Sequence, residues 1–561
     1  MERLLDCYFA TGGAVFPIIH EPSFRATYLE CRRNGFTRAR RTWLGLLNIM
    51  LAMATSFDAD SVPSATRRQE KASIFYARAQ ELCGELSRRV ISLEIVHYLI
   101  LVVILCQGTQ RSVQAWNTLG LVIRSAIALG LHSDAPGRSE DPIQAEFRRR
   151  TWIVIYCLDQ VLGAAFGRPT SIPDQHLQRH SLLSTGSPSD TSSVGHTHQP
   201  SGNIDLNGEF LALSFKLYQI MGRSLADQYG SNFDNTEPHL DGIDSLKASG
   251  ELRKALQIWA AGLPPHLQLI EPDSPLLSQS KPEHRARTIL TMRYHNLTIL
   301  IHKPLLSATL RYLFPPKGVG HVGMPMPYLI QLAIAEAHEC IRAAQNTIDM
   351  IHAIITNDQS GKNNLGVWYY TLYYVFTASL VICGRLLWAR HGHEEPDEAA
   401  ILQAQRSLDK AEVICEKIDH ENSLVLSCLE YIRSLARMCN VKGPQIYHTT
   451  FDKPGNRNPE TDQSSRGDIT GTGSTGIPRP HNNLSGNGTD SVAAVPLTAL
   501  DGLGDNERAQ SLTDPALLSS EDMETLQLFS SEMFDPSIFE GFHQSPVDPR
   551  TISAGLWDGP A

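Results

Sequence analysis

The 561-residue sequence contains no closely spaced pair of cysteines. Its ten cysteines are scattered, and no two lie closer than eleven residues, so neither a CxxC motif nor a structural zinc spacing is present. Most stand in apolar surroundings, such as LVVILCQ around Cys106 and IVIYCLD around Cys157. Such surroundings are typical of small buried thiols in a reducing compartment. The sequence therefore predicts free thiols and no metal or other cofactor in this chain.

Sequence motifs of enzymes are missing as well. The chain has no GxSxG and no HExxH, and GTGSTG at 471–476 lacks the Lys-Ser/Thr that completes a phosphate-binding loop. His295 and His302 lie seven residues apart on one predicted helix, but two histidines alone make a poor metal site. We therefore predict that the chain is not an enzyme and has neither catalytic nor metal-binding residues.

Positive charge is not in excess in the larger part of the chain. Residues 1–441 contain 42 Lys/Arg and 42 Asp/Glu, whereas residues 442–561 contain 7 Lys/Arg and 17 Asp/Glu. The net charge of −10 therefore falls entirely on residues 442–561. A neutral body argues against an extensive nucleic-acid interface, which needs a basic face. One local cluster is either a nuclear-localisation or phosphate-binding patch or a solvated junction between helices. It consists of Arg32, Arg33, Arg38, Arg40 and Arg41.

Alternating, strand-like patterns are hard to find, whereas apolar residues recur at spacings of three and four up to about residue 440. The pattern predicts an all-α fold, a large multi-helix domain over residues 1–440. Twelve helices are predicted, at 42–57, 67–89, 93–108, 113–131, 143–166, 209–229, 244–261, 282–306, 327–355, 365–390, 397–418 and 423–439.

One predicted helix is apolar enough to be considered for a membrane. Residues 367–384 contain no formal charge over eighteen positions, the lower length limit for a span. They include four tyrosines, which belong at membrane interfaces and not in mid-span. We therefore expect a buried helix and no membrane partner.

Three polar or acidic segments interrupt or follow the helical pattern. Residues 181–203 predict a mobile loop, and residues 441–508 a disordered linker. In residues 509–561, acids flank bulky apolar side chains, which is typical of a disordered activation segment that binds a partner's groove. The alternative is a C-terminal helix that docks back on the core. The residues expected to contact the transcription machinery are Phe529, Met533, Phe534, Phe539 and Phe542.

Residues 148–174 form the most informative stretch, an apolar helix that follows a basic triplet. Gly167 can take the left-handed conformation that ends a helix, and Pro169 restricts Arg168 to an extended geometry. Asp159 lies in the apolar part of the helix, where an ionised carboxylate is costly unless it is paired. We expect Asp159 to pair with Arg168 or with Arg124 of the preceding helix.

Several blocks resemble the regulatory middle domain of fungal-specific transcription factors, whose members usually carry an N-terminal binuclear zinc cluster. The similar blocks are FPIIHEPSF at 16–24, AWNTLGLVIRSAIALGLHSD at 115–134, the RRRTWIVIYCLDQVLGAAFGRPTSI block at 148–172, WAAGLPPHL at 259–267 and LTMRYHNLTILIHKPLL at 290–306. The residues that carry the signature are Trp116, Gly130, His132, Arg148, Arg149, Arg150, Trp152, Tyr156, Asp159, Gly167, Arg168 and Pro169. The family's second tryptophan is replaced by Ile153, and the arginine that usually follows the helix aspartate by Gln160.

The resemblance implies a nuclear regulator of transcription for a metabolic or secondary-metabolite pathway. No six-cysteine cluster precedes the domain in this chain, so zinc and direct DNA contact are expected only from a further N-terminal region. Without such a region, we expect action through a DNA-binding partner or a homodimer. The alternative is a zinc-less ligand-sensing or adaptor module, since large helical domains can enclose apolar pockets.

Overall fold

The computed structural model describes most of the helical part of the chain. The described residues are 1–58, 61–62, 64–109, 111–133, 141–173, 205–230, 242–279, 281–313, 328–357, 365–391 and 396–440, and all of them belong to one compact unit. The predicted loop at 181–203, the linker at 441–508 and the tail at 509–561 lie outside these residues.

The described residues form α-helices and short 3-10 turns, with no strand among them, which confirms the all-α prediction. The helices are α1 Glu2–Ala10, α2 Gly12–Val15, α3 Glu21–Arg33, α4 Arg41–Phe57, α5 Ala65–Cys83, α6 Leu93–Gln107, α7 Ser112–Ala128, α8 Pro142–Phe166, α9 Leu206–Tyr229, α10 Gly242–Ala261, α11 Pro282–Leu313, α12 Tyr328–Asn357, α13 Trp368–His391, α14 Glu398–Asp419 and α15 Ser423–Asn440.

The predicted helices agree with the structure within a few residues, with two differences. The sequence pattern did not predict α1, α2 and α3, which are short or contain few apolar residues. The ends of two helices also differ: the helix predicted at 282–306, which already contains Pro304, continues to Leu313, and the helix predicted at 67–89 ends at Cys83.

There are two hydrophobic cores, and α11 contributes extensively to both, whereas α13 contributes Tyr369 to the first and most of its residues to the second. The first is built from α1 to α10 and from α11 residues such as Leu290, Leu297 and Ile301. The second is built from α12 to α15 and from other residues of α11, such as Ile299 and Leu306. Because α11 buries different sides of its surface in the two cores, it joins them.

Helix α13 contains the membrane candidate. Its residues Trp368–Arg390 are long and apolar enough to cross a membrane, but 78% of the most apolar window is buried inside the protein. Extensive burial against neighbouring helices is what a core helix shows.

Pro304 is tolerated because other side chains replace its missing hydrogen bond. A proline has no N–H, so the Leu300 carbonyl, four residues earlier, loses its helical donor. The Tyr229 hydroxyl donates to this carbonyl at 2.7 Å. The next carbonyl, that of Ile301, accepts from Gln228 Nε2 at 2.9 Å. Tyr229 therefore replaces the one donor that the proline removes, and Gln228 adds a second contact between the end of α9 and α11.

Replacing Tyr229 by Phe should lower the free energy of unfolding by about 1 to 2 kcal/mol, because the largely buried Leu300 carbonyl then lacks a donor. In a Pro304→Ala background the same substitution should cost less, since the alanine N–H can serve that carbonyl. Denaturant unfolding of the two single variants and the double variant would give a coupling of about 1 kcal/mol. Tyr328→Phe, at an exposed tyrosine, is the control. Additive effects would contradict this explanation.

Candidate functional site

Two cavities are lined by residues of several helices, α8, α9, α11 and α13 among them, and we call them the central cavities. The first has a volume of about 70 Å³ and the second about 30 Å³. Both are lined mostly by apolar and aromatic side chains. The residues that line both are Val161, Tyr218, Arg293, Tyr370 and Tyr374. The two cavities therefore surround a single arginine.

Helix periodicity brings the polar groups of this site together. Phe210, Ser214 and Tyr218 are spaced four residues apart on α9 and so share one face. Tyr370 and Tyr374 have the same spacing on α13. The α8 helix contributes apolar wall residues, such as Leu158 and Val161.

Arg293 lies at the centre of this arrangement and is 7% exposed. Its Nη1 donates to the Ser214 hydroxyl at 2.5 Å. Its Cζ lies 5.0 Å from the ring centroid of Phe210 and 5.3 Å from that of Tyr218, distances typical of cation–π contacts. The guanidinium also interacts with the phenol of Tyr374.

No anion compensates the charge of Arg293 among the described residues. None of the side chains that line the central cavities is a carboxylate, and Arg293 takes part in no ion pair within the described ranges. Burial raises the pKa of the Tyr218 and Tyr374 phenols above their usual value. Burial also raises the pKa of the Cys157 thiol to about 12. These neighbours are therefore neutral at physiological pH, whereas an arginine stays charged.

The basic triplet at residues 148–150, two turns into α8, connects this helix to its neighbours. Arg148 Nη2 donates to the Leu129 carbonyl at the end of α7, at 2.8 Å. Arg149 contacts Glu146 within α8. Arg150 is 7% exposed and binds both Glu146, at 2.8 Å, and Asp205, the residue that caps α9. The triplet thus acts in packing α7, α8 and α9 together.

Asp159 is fully buried, as expected, but the predicted arginine partner is wrong. Its Oδ2 accepts from the backbone N–H groups of Ser171 and Ile172, at 2.8 and 2.9 Å. Its Oδ1 has no hydrogen-bond partner within the described ranges. Burial raises the pKa of Asp159 from 3.8 to about 6, although the backbone bonds act in the opposite direction. Asp159 therefore holds the segment that follows α8 against the helix itself.

The end of α8 has the predicted geometry, and it explains where Arg168 goes. Gly167 ends the helix with φ 57° and ψ 34°, in the left-handed region. The chain then continues through Arg168 and Pro169 without helical structure. Arg168 does not reach Asp159; its Cζ lies 5.1 Å from the ring centroid of Trp116 on α7. Its charge is thus placed over an aromatic face.

The remaining signature residues pack near the same helix. Gly130 has φ 70°, which closes the turn after α7 at a conformation that favours glycine. His132 follows that turn, and its ring centroid lies 6.0 Å from that of the buried Trp152. Tyr156 is also buried and meets Phe215 of α9 edge to face at 5.3 Å. These contacts make α8 the packing centre of the first core.

The N-terminal arginine cluster is partly used in internal contacts. Arg32 pairs with Glu2, and Arg40 pairs with Glu94. Arg41 donates to the carbonyls of residues 81 and 82. These interactions favour a junction between helices over a free phosphate-binding patch.

Arg293 was not predicted as a site residue from the sequence. The residue stands in LTMRYHNLTILIHKPLL, which was considered for its two histidines. An arginine within an apolar helical run is the same kind of signal that singled out Asp159. Among the described residues, no group of three or more His, Cys, Asp or Glu could hold a metal ion.

The fold and the site together define a helical scaffold in which two mostly apolar cavities surround Arg293. A sequence model for the fungal specific transcription factor domain matches residues 5–261. The chain is 53% identical over 560 residues to "Transcription factor FBD3" of Gibberella moniliformis and 50% identical over 559 residues to the protein of the same name from Fusarium pseudograminearum. Each comparison covers 100% of this chain and 67% of that relative, so the chain spans about two thirds of their length.

The chain belongs to the fungal-specific transcription factor family. A more distant relative is the "Sorbicillinoid biosynthetic cluster transcription factor 2" of Penicillium rubens, with 24% identity over 388 residues that cover 67% of this chain and 53% of that protein. The family that the sequence blocks suggested is therefore confirmed.

Replacing Asp159 by Ala should lower the free energy of unfolding by about 2 to 4 kcal/mol, because two backbone N–H groups lose their acceptor. Asp159→Asn should cost much less, since its carboxamide oxygen can accept both bonds. Urea unfolding at about pH 5.5 measures both. Asp409→Ala, at an exposed aspartate of α14, should change stability by less than about 0.5 kcal/mol. An Asp159→Ala variant no less stable than this control would contradict the assigned role.

The raised pKa of Asp159 predicts a pH dependence with a definite sign. Between pH 3.8 and about 6 the folded state binds this proton more tightly than the unfolded state, so the residue's contribution to stability falls as pH rises. Over this window the wild type should lose about 2 to 3 kcal/mol relative to Asp159→Asn, which stays neutral. Unfolding of both proteins at several pH values measures the difference. A difference that does not change with pH, or that changes in the opposite direction, would rule out the burial of an ionisable carboxyl.

Proposed function

We propose that this chain regulates the transcription of genes of a metabolic or secondary-metabolite biosynthetic pathway, in the nucleus. The observation that carries the proposal is the similarity over the full chain to relatives named as transcription factors. The name of the Penicillium relative, which refers to a biosynthetic cluster, supports a pathway regulator. In this proposal the chain acts without catalysis.

The helical domain modulates activity, and residues 509–561 recruit the transcription machinery. The acidic and aromatic composition of this tail supports its assignment as an activation segment, because acids keep bulky apolar groups accessible in water. DNA is reached through a DNA-binding partner or a homodimer, or through a zinc cluster if the whole protein contains one.

Residues 509–550 fused to a neutral DNA-binding domain should activate a reporter well above the DNA-binding domain alone. The control changes the five bulky residues Phe529, Met533, Phe534, Phe539 and Phe542 to serine and leaves every acid in place. This variant should return the reporter to background, because apolar contacts with the partner's groove are lost. Equal expression of the two fusions is checked by immunoblot. An inactive parent fusion, or a serine variant that is fully active, would refute the activation assignment.

The second candidate function is a ligand-sensing or adaptor module that works through a DNA-binding partner. The specific observation in its favour is the pair of central cavities, which place apolar walls around a single charged group. An interior of mostly apolar surface with few polar groups is typical of small-molecule sites.

A further inference from the structure

We propose that the central cavities bind a small monocarboxylate with an apolar or aromatic body, its carboxylate on the guanidinium of Arg293. This inference deepens the ligand-sensing candidate and rests on it. It does not depend on the activation tail or on how the chain reaches DNA.

Among the described residues, no carboxylate compensates the buried charge of Arg293. A buried cation costs free energy unless an anion or several hydrogen bonds replace the lost water. Arg293 has five N–H donors, and its described hydrogen bonds reach only the hydroxyls of Ser214 and Tyr374. The other two arginines that are buried among the described residues bind carboxylates: Arg150 binds Glu146 and Asp205, and Arg68 binds Asp419 at 2.8 Å. Arg293 differs from them by facing two cavities.

The single charge of Arg293 favours a carboxylate monoanion as the ligand. Among the described residues that line the central cavities, the guanidinium of Arg293 is the only formal charge. A monoanion neutralises it, whereas a phosphate dianion would leave one negative charge buried without a partner. The planar fork of an arginine matches a carboxylate with two parallel hydrogen bonds. The hydroxyls of Ser214 and Tyr374 lie beside the guanidinium and can donate to the same anion.

The walls and the volume of the larger cavity favour a ligand with a small apolar body. The walls are aliphatic and aromatic, with Val161, Leu162, Phe166 and Tyr370 among them. The larger cavity has room for roughly five water molecules, at 10–15 Å³ for each. A compact apolar body, such as one aromatic ring, fits this space and surface. A long fatty-acid chain does not.

The proposal is tested on the full chain with benzoate, phenylacetate and hexanoate as probes. Each is titrated up to about 10 mM in thermal unfolding, because a ligand that binds only the folded state raises the melting temperature in a saturable way. At least one of the three should do so. Benzamide, the neutral isostere of benzoate, should bind at least about 10-fold more weakly, and phenyl phosphate should not bind better than benzoate.

Arg293→Met is the decisive variant. Methionine has a similar length and no charge, and replacing a buried charged group by an apolar one of similar volume is often tolerated. Probe affinity should fall by at least about 10-fold. The matched control is Arg311→Met, an exposed arginine on the same helix, which should bind as the wild type does. If Arg293→Met does not fold, Val161→Met fills space shared by both cavities without altering the charge, and it should also reduce affinity by at least about 10-fold.

Three outcomes would overturn the proposal: no probe binds in a saturable way, benzamide binds as well as benzoate, or Arg293→Met (Val161→Met, where that variant is used) leaves the affinity unchanged. Binding by purified protein is independent of reporter activity. A chain that binds benzoate but does not respond to it in a reporter assay would keep the site and refute ligand sensing. A chain that activates transcription but binds none of the probes would keep the regulator and refute the site.

Discussion

This structure depends on how charged side chains are stabilised when they are buried, away from water, in an apolar helical interior. Asp159, Arg150 and Arg293 are all nearly or fully buried, and each meets the cost differently. Asp159 accepts from two backbone N–H groups, and Arg150 binds two carboxylates. Arg293 contacts the hydroxyls of Ser214 and Tyr374 and two aromatic faces. The first two solutions join elements of the fold to one another, whereas the third places the guanidinium at the wall of two cavities.

The sequence allowed much of the fold to be predicted, for physical reasons that are easy to identify. Helix α8 was predicted almost to the residue because its apolar periodicity ends at Gly167, where the left-handed conformation requires little strain. The burial of Asp159 was predicted from its apolar neighbours. Its partner was predicted wrongly, because every residue except proline has a backbone N–H, so the sequence does not indicate which of them will bind Asp159. Arg168, the expected partner, lies over the ring of Trp116 instead.

The same limit applies to α11 and to the candidate site. The helix was predicted to continue past Pro304 to residue 306, but the Tyr229 hydroxyl, which replaces the missing N–H of the proline, was not predicted. Such compensation depends on tertiary contacts across about seventy residues of chain, so no local pattern could indicate it. The central cavities are likewise a property of packing among four helices. The charge of Arg293 was visible in the sequence, but it was not predictable that none of the described residues around the two cavities would be a carboxylate.

Helix α11 connects the two themes of the structure. It contributes to both hydrophobic cores, and it carries Arg293 into the space between α8, α9 and α13. An anion on Arg293 would stabilise the arrangement of helices that presents the guanidinium, and by linkage it would favour that arrangement over any that does not. The residues that contact the cavities come from α8 and α9 of the first core and from α13 of the second. Occupation of one small site would therefore act on both cores, because α11 is shared between them and closely packed cores do not deform independently.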